Sequence, residues 1–279
     1  MKLQNITKNN MKKNFYDAII LSSTFKENKK ELIKFLCHLC NECKSVENFY
    51  RVIPVLVFEE IELDKFKTIK RFFKKGHHDI FPKILLNRNS KGFSACLNYG
   101  ISKTNSNFIL RIDTDDTCTK ERIFEQINAM YKYNLDLCSS YMKDERGNIL
   151  KYPLNFNTLL IWTALGSNPI AHPSVCLRRT ILLNTYNEEL LFCEDFDLWM
   201  RLFLSRNLKF KCLNKTLVKY NLKNAYLKDY KNALNQLKIR FRILRKIFIL
   251  TLPIFLGIFP NFLRIIFRSN LLLKLRRRI

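Results

Sequence analysis

A chain of 279 residues with 47% apolar and 26% charged residues can build a sizeable core without covalent staples, which excludes a small scaffold dependent on disulfides. The net charge of +25 is out of the ordinary and uneven: 20 of the 49 basic residues but only one of the 24 acids, Asp229, lie from Arg201 onward. Such asymmetry points to a C-terminal segment that meets an anionic partner, either nucleic acid or acidic lipid.

Met1 to Asn14 is rich in Lys and Asn and lacks an apolar stretch of the kind that secretory signals carry, so none is expected. Asp17–Leu21 reads as a buried strand, followed by a polar turn over Ser22–Asn28. Lys30–Cys43 has the spacing of an amphipathic helix, with Leu32, Phe35, Leu36, Leu39 and Cys40 on one side. Cys37, Cys40, Cys43 and His38 in this segment have metal-like spacing. No second ligand pair follows, so small residues packed on a helix are the expected role. The nine cysteines are odd in number and scattered, which fits reduced thiols in a cytosolic compartment.

Arg51–Phe58 is a second strand, with Pro54 suggesting an edge or a strand start. Leu63–Lys74 is helical in pattern, Ile84–Leu86 a short strand, Ser94–Ser102 a helix after the turn at Asn89–Gly92. Asn107–Ile112 is a fourth strand, Lys120–Tyr133 a helix, Asp136–Met142 another strand. This alternation predicts a mostly parallel α/β sheet. Ser174–Leu177 reads as a strand, Glu194–Leu204 as a helix, and Lys209–Tyr220 contains a strand. The composition then turns basic and apolar, which places a boundary between a domain over 1–222 and a segment over 223–279.

The fourth strand runs into Asp113, Asp115 and Asp116. Ligands bind beyond the carboxyl ends of strands in open α/β sheets. Three carboxylates within four residues repel one another, and a hard cation, Mg²⁺ or Mn²⁺, would relieve that repulsion. Alternatively, Asp116 or Thr117 caps the next helix.

With its surroundings, this stretch resembles family 2 glycosyltransferases. The match is Asn89–Gly92, then Ala95-Cys96-Leu97-Asn98-Tyr99-Gly100-Ile101, then the strand and its acids, with Lys120-Glu121-Arg122 in the place of a P-x-R motif. A second block agrees: Asn168-Pro169-Ile170-Ala171-His172-Pro173-Ser174-Val175, then Cys193-Glu194-Asp195-Phe196-Asp197-Leu198-Trp199-Met200-Arg201, and finally Leu217-Val218-Lys219-Tyr220. The resemblance covers about Asp17 to Tyr220 and is nearest to bacterial enzymes of capsule, exopolysaccharide and lipooligosaccharide synthesis. The chain departs from the pattern at Ser23-Thr24-Phe25-Lys26, at Phe58-Glu59-Glu60 and at Asn184-Thr185-Tyr186.

The resemblance implies the GT-A fold, a Rossmann-like, mixed and mostly parallel sheet flanked by helices. It implies inverting transfer of a sugar from a nucleotide-sugar donor, expected to be UDP-linked, to a hydroxyl of a lipid-linked or lipooligosaccharide glycan. Asp195 is the implied general base and Glu194 an acceptor-positioning acid. Their alternative is a helix N-terminus that favours acids. Asp115 and Asp113, and His172, are the implied metal contacts, with a structural role as the alternative for His172. Donor contacts are expected from Ser23, Thr24, Glu27, Glu59, Lys91, Asn98, Arg111, Asp113 and Thr114. For Lys91 and Arg111 the alternative is a solvated surface charge. Asp197 is expected to be a solvated or capping acid and Trp199 a core residue. A non-catalytic glycan-binding or nucleotide-sugar-binding homologue is the competing function, motivated by Phe58-Glu59-Glu60.

Ile247–Leu263 has 17 residues without charge, short of the about 20 that a spanning helix needs, and Pro253, Gly257 and Pro260 interrupt it. Basic residues flank it on both sides. An interfacial or re-entrant segment on acidic lipid is the expected role, which would place the protein at the cytoplasmic face of a membrane. A basic helix pair packed on the catalytic domain is the alternative. The long aliphatic runs argue against nucleic acid.

Overall fold

A computed structural model describes residues 16–24, 27–76, 78–183, 186–204, 208–221, 229–244, 258–259 and 261. Its elements in chain order are β1 (Tyr16–Ser23), α1 (Lys29–Ser45), β2 (Val52–Glu59), α2 (Leu63–Lys75), β3 (Lys83–Asn87), α3 (Phe93–Ser102), β4 (Ser106–Arg111), β5 (Thr117–Cys118), α4 (Arg122–Lys132), β6 (Leu137–Asp144), β7 (Ile149–Leu150), α5 (Phe156–Ala164), β8 (Cys176–Arg178), α6 (Glu194–Leu204), β9 (Phe210–Tyr220) and α7 (Asp229–Leu244).

The strands form one mixed sheet in the order β3-β2-β1-β4-β8-β6-β9-β5, with β7 paired to β6. β3, β2, β1 and β4 run parallel. β8 is antiparallel to both β4 and β6, and β9 is parallel to β6. The carboxyl ends of β1, β2, β4, β6 and β9 therefore share one edge of the sheet, the edge where ligands bind in such folds. The period of two along β1 sends Ala18 and Ile20 into a core with α1, α2 and α4. Ile19 and Leu21 enter a second core with α3, α5, α6 and Ile239 of α7.

Local chemistry explains the main boundaries. Asn28 caps α1: its Oδ1 accepts from the Lys30 and Glu31 amides at 2.9 and 3.0 Å, and its own amide donates to Glu31 Oε2 at 2.9 Å. At Gly100 a Cβ would stand 2.5 Å from Leu21 Cδ1 and 2.9 Å from Val57 Cγ2, so that glycine sets how closely α3 lies on the sheet. Pro54 sits in an inner strand, not at an edge. It pairs with Ile20 of β1, and the ladder to β3 begins only at Val55, which leaves the proline outside that second ladder. Cys40 and Cys43 are buried on α1, Cys37 is half-buried, and all nine cysteines are free thiols.

α7 does not stand apart from the domain, so the boundary expected near residue 222 does not separate it. Arg240 is fully buried, donates to the Thr163 carbonyl of α5 at 3.0 Å, and lies 4.7 Å from the Phe196 ring centroid of α6. Asp197 is buried rather than solvated: it pairs with Arg201 at 2.8 Å and with Arg242 of α7. Asn261 is also buried and donates to the Gly166 carbonyl at 3.3 Å. Most of the apolar run from Ile247 to Leu263 lies outside the described residues. Among those described, no helix is long and apolar enough to cross a membrane.

Candidate active site

The chain after β4 turns over a fully buried arginine. Arg111 donates to its own neighbour's carbonyl, at Ile112, and to the Asp113 carboxylate, and its guanidinium lies 4.9 Å from the Phe93 ring centroid. It is not a surface charge: it is the counter-charge beneath the acids. Arg122, also fully buried, braces this turn by donating to the Arg111 carbonyl at 2.6 Å and to Gln126 Oε1 at 2.9 Å. Asp116 does not cap α4, whose first turn has no side-chain cap. It is buried, and its Oδ1 accepts the Asn221 amide at 2.9 Å, tying the acidic turn to the end of β9. Thr117 opens β5 instead of a helix.

Asp113 is one-third exposed and Asp115 is exposed. The Asp115 carboxyl is nevertheless raised to about 6, first by loss of water around it, then by the like charge of Asp113 and, further down, of Glu27. Thr114 between them is buried.

A second acidic pair faces this turn. Cys193 leads into α6 with φ +65°, a left-handed conformation that costs a residue with a Cβ about 1–2 kcal/mol, and Glu194 and Asp195 open the helix. One Asp195 oxygen accepts from Asn168 Nδ2 at 2.7 Å and the other from the Phe196 amide at 2.7 Å. Burial raises both carboxyls, Glu194 to about 8 with the charge of Asp195 adding to it. The two acidic pairs are joined by packed groups: Arg111, which donates to Asp113, lies against Phe93, and Phe93 and Trp199 of α6 flank His172 at 6.1 Å each.

His172 and Tyr186 fill the space behind. His172 Nε2 lies 2.9 Å from the Tyr186 hydroxyl, with the rings of Phe93 and Trp199 each 6.1 Å away. Burial, with Arg111 adding to it, keeps the imidazole neutral. Trp199 is fully buried. Asn98 is occupied in holding the Tyr186 segment: it donates to the Tyr186 carbonyl at 2.9 Å and to Glu188 at 2.8 Å, and accepts the Tyr186 amide at 2.9 Å. No sequence signal gave a role to Asn168, Arg122, Tyr186 or Tyr220, although all but Tyr186 stand inside the matched blocks.

The remaining expected donor contacts lie at the ends of β1 and β2. Ser23 and Thr24 are buried, and the Thr24 hydroxyl bonds to Glu62 and lies 3.4 Å from the Val57 carbonyl. Glu59 accepts the amide of Gly92, whose φ of +99° suits glycine, at 3.0 Å, and so fixes the loop before α3. Lys91 is exposed and Glu27 half-buried.

Among the described residues no three His, Cys, Asp or Glu side chains converge as a metal cage. Two neighbouring carboxylates, Asp113 and Asp115, do fit a hard cation that completes its shell with phosphate oxygens and water. The observation that favours such a cation is their placement: two carboxylates two residues apart beyond the carboxyl end of β4, both reachable by solvent.

The charge buried at Glu194 sets a stability test. A raised carboxyl favours the fold at low pH, and that advantage is lost as pH rises toward about 8. Glu194→Gln removes the charge. Glu194 is half-buried, so solvent screening reduces what this shift is worth. Thermal melts should show Glu194→Gln a few degrees above wild type at pH 8 and nearly level with it at pH 5.

Residues 20–194 match the sequence profile of Glycosyl transferase family 2. The chain belongs to this family. It is 30% identical over 118 residues to the amylovoran biosynthesis glycosyltransferase AmsE of Erwinia amylovora, covering 40% of this chain and 44% of that protein. It is 27% identical over 144 residues to the O-antigen biosynthesis glycosyltransferase WbnJ of Escherichia coli, covering 47% and 54%. The chain thus spans about half the length of these curated relatives. Similar solved structures include Staphylococcus aureus TarS 1-349 in complex with UDP-GlcNAc (TM-score 0.59, 20% identity, 83% of this chain and 66% of that one). The mannosyltransferase PcManGT of Pyrobaculum calidifontis, in complex with GDP-Man and Mn²⁺, gives a TM-score of 0.62 at 10% identity over 90% and 74%. These likenesses establish the GT-A fold of this family 2 member.

Proposed function

We propose that the protein is an inverting, metal-dependent glycosyltransferase. It moves a sugar from a nucleotide-sugar donor, UDP-linked in our reading, to a hydroxyl of a lipid-linked or lipooligosaccharide glycan of a bacterial surface polysaccharide. The observation that carries this reading is the arrangement of the acids: Asp113 and Asp115 beyond the carboxyl end of β4, and Glu194 with a doubly hydrogen-bonded Asp195 at the start of α6, joined through Arg111, Phe93, His172 and Trp199. The relatives in amylovoran and O-antigen biosynthesis support the substrate class.

Asp113 and Asp115 would hold Mg²⁺ or Mn²⁺, which when bound neutralises the charge developing on a departing diphosphate. Asp195 is placed to take the proton of the attacking hydroxyl. The Asn168 and Phe196 donors fix its two oxygens, so it meets the nucleophile in one orientation. Glu194, beside it, positions the acceptor. Attack from the face opposite the leaving group inverts the anomeric centre. His172, bonded to Tyr186, orients that side chain and is left out of the metal set. The basic segment from 245 onward holds the protein at the anionic inner face of the cytoplasmic membrane.

The test is release of nucleoside diphosphate from a panel of nucleotide sugars, with and without Mn²⁺ and with glycolipid extract present. Metal-dependent release with one donor is expected. Binding of a nucleotide sugar with no release under any condition would instead favour the non-catalytic reading.

A further inference from the structure

A strip of aromatic rings leaves the acidic turn on the side away from β1 and β2. β6 runs parallel to β4, so β7 and α5, which follow it, emerge at the same sheet edge as the acids. Tyr220, the last residue of β9, is fixed there because the next amide, at Asn221, donates to Asp116 at 2.9 Å. Tyr152, just after β7, packs with Tyr220 against Met142, Ala171 and Val218. The Tyr152 ring in turn meets Trp162 of α5, with centroids 6.2 Å apart and planes inclined at 39°. All three rings are half-buried. α5 itself has no charged residue, and six residues beyond Trp162 the same stretch supplies Asn168, the donor that holds Asp195.

The surroundings select the ligand. The acids at one end of the strip repel an anion, and the nearest carboxylate beside it among the described residues, Asp144 across from Tyr220 in β6, is occupied by the Arg146 and Asn148 amides and by Asn148 Nδ2. A pyranose is neutral, with an apolar C–H face that suits an aromatic ring and a hydroxyl rim that suits phenol oxygens. We propose that Tyr220, Tyr152 and Trp162 form a platform for a neutral saccharide unit, the unit of the acceptor that lies next to the reacting hydroxyl. The word acceptor rests on the function proposed above; binding of a saccharide at these rings does not.

The chain has two tryptophans, and Trp199 is fully buried, so acrylamide quenching of the full-length protein reads Trp162. The probes are neutral methyl hexosides, methyl N-acetylhexosaminides and their disaccharides, with no nucleotide present. At least one should protect Trp162 saturably. Tyr152→Ala should raise the half-saturating concentration tenfold or more, and Tyr220→Phe, which keeps the ring and removes only the hydroxyl, by a few-fold. No protection by any probe, or unchanged saturation in both variants, would overturn the platform. Protection without nucleoside diphosphate release from any donor leaves the platform standing and removes the transferase reading. Release with sugar transfer but no protection does the reverse.

Discussion

Asp195→Asn should lower donor turnover in the presence of acceptor by about 10²–10⁴-fold, the usual contribution of a positioned general base. The substitution keeps the shape of the side chain. An amide oxygen can still accept the Phe196 amide, which donates at 2.7 Å in the native protein, and the Asn168 amide must turn to present its own oxygen to the new NH2. The fold should therefore survive, and loss of a half-buried carboxylate should leave Tm nearly level. What disappears is the ability to take a proton. Burial raises the Asp195 carboxyl, so the base form is lost as pH falls through a value above the ordinary carboxylate range of about 4. In wild type kcat/KM should thus fall on the acid side well before pH 4, and that limb should vanish from the residual activity of the variant. A profile from pH 5 to 9 reads both effects. Turnover within tenfold of wild type would remove Asp195 from the mechanism.

Arg111→Met should be the most damaging single change to stability at the site. The guanidinium has no exposure, pairs with Asp113, and lowers the carboxyls of Asp115, Asp116 and Glu194. Removing one partner of a buried pair costs about 3–5 kcal/mol. Asp113 is one-third exposed and can be rehydrated, so the lower half of that range is expected, about 3–4 kcal/mol, or about 6–16 °C in Tm. The loss should be full at pH 8 and smaller at pH 5, where Asp115 and Glu194, raised to about 6 and 8, already carry protons. A drop independent of pH would mean that Arg111 acts by packing against Phe93 rather than by charge.

Legibility in the sequence followed signal type. Strands and helices with long apolar periods, such as β1, α1, α6 and β9, could be placed within a residue or two. Two-residue strands such as β5 and β7 have no period to read, and α5 is apolar on nearly every face, so its helical repeat is hidden. The acids were visible because carboxylates crowd together for few structural reasons. Their partners were not: Asn168 lies 27 residues from Asp195, and only folding shows that it spends its amide there. Arg111 reads as one more base in a basic chain, and its burial follows from pairing with an acid two residues on. Asp197 misled for a similar reason, since Arg242, its partner, lies 45 residues away.

The grip of α7 on α6 decides how the C-terminal region can be dissected. Asn232 accepts from Cys193 Sγ at 3.4 Å, Asn235 reaches the Phe192 carbonyl at 3.4 Å, and Arg240 and Arg242 hold Phe196 and Asp197. Glu194 and Asp195 thus sit between residues fastened on both sides by the helix that leads into the basic tail. A deletion beginning at Lys231 would strip the basic C-terminal segment and slacken Asp195, the proposed base, in the same stroke, and a silent protein would say nothing about either. A cut after Leu244 separates the two.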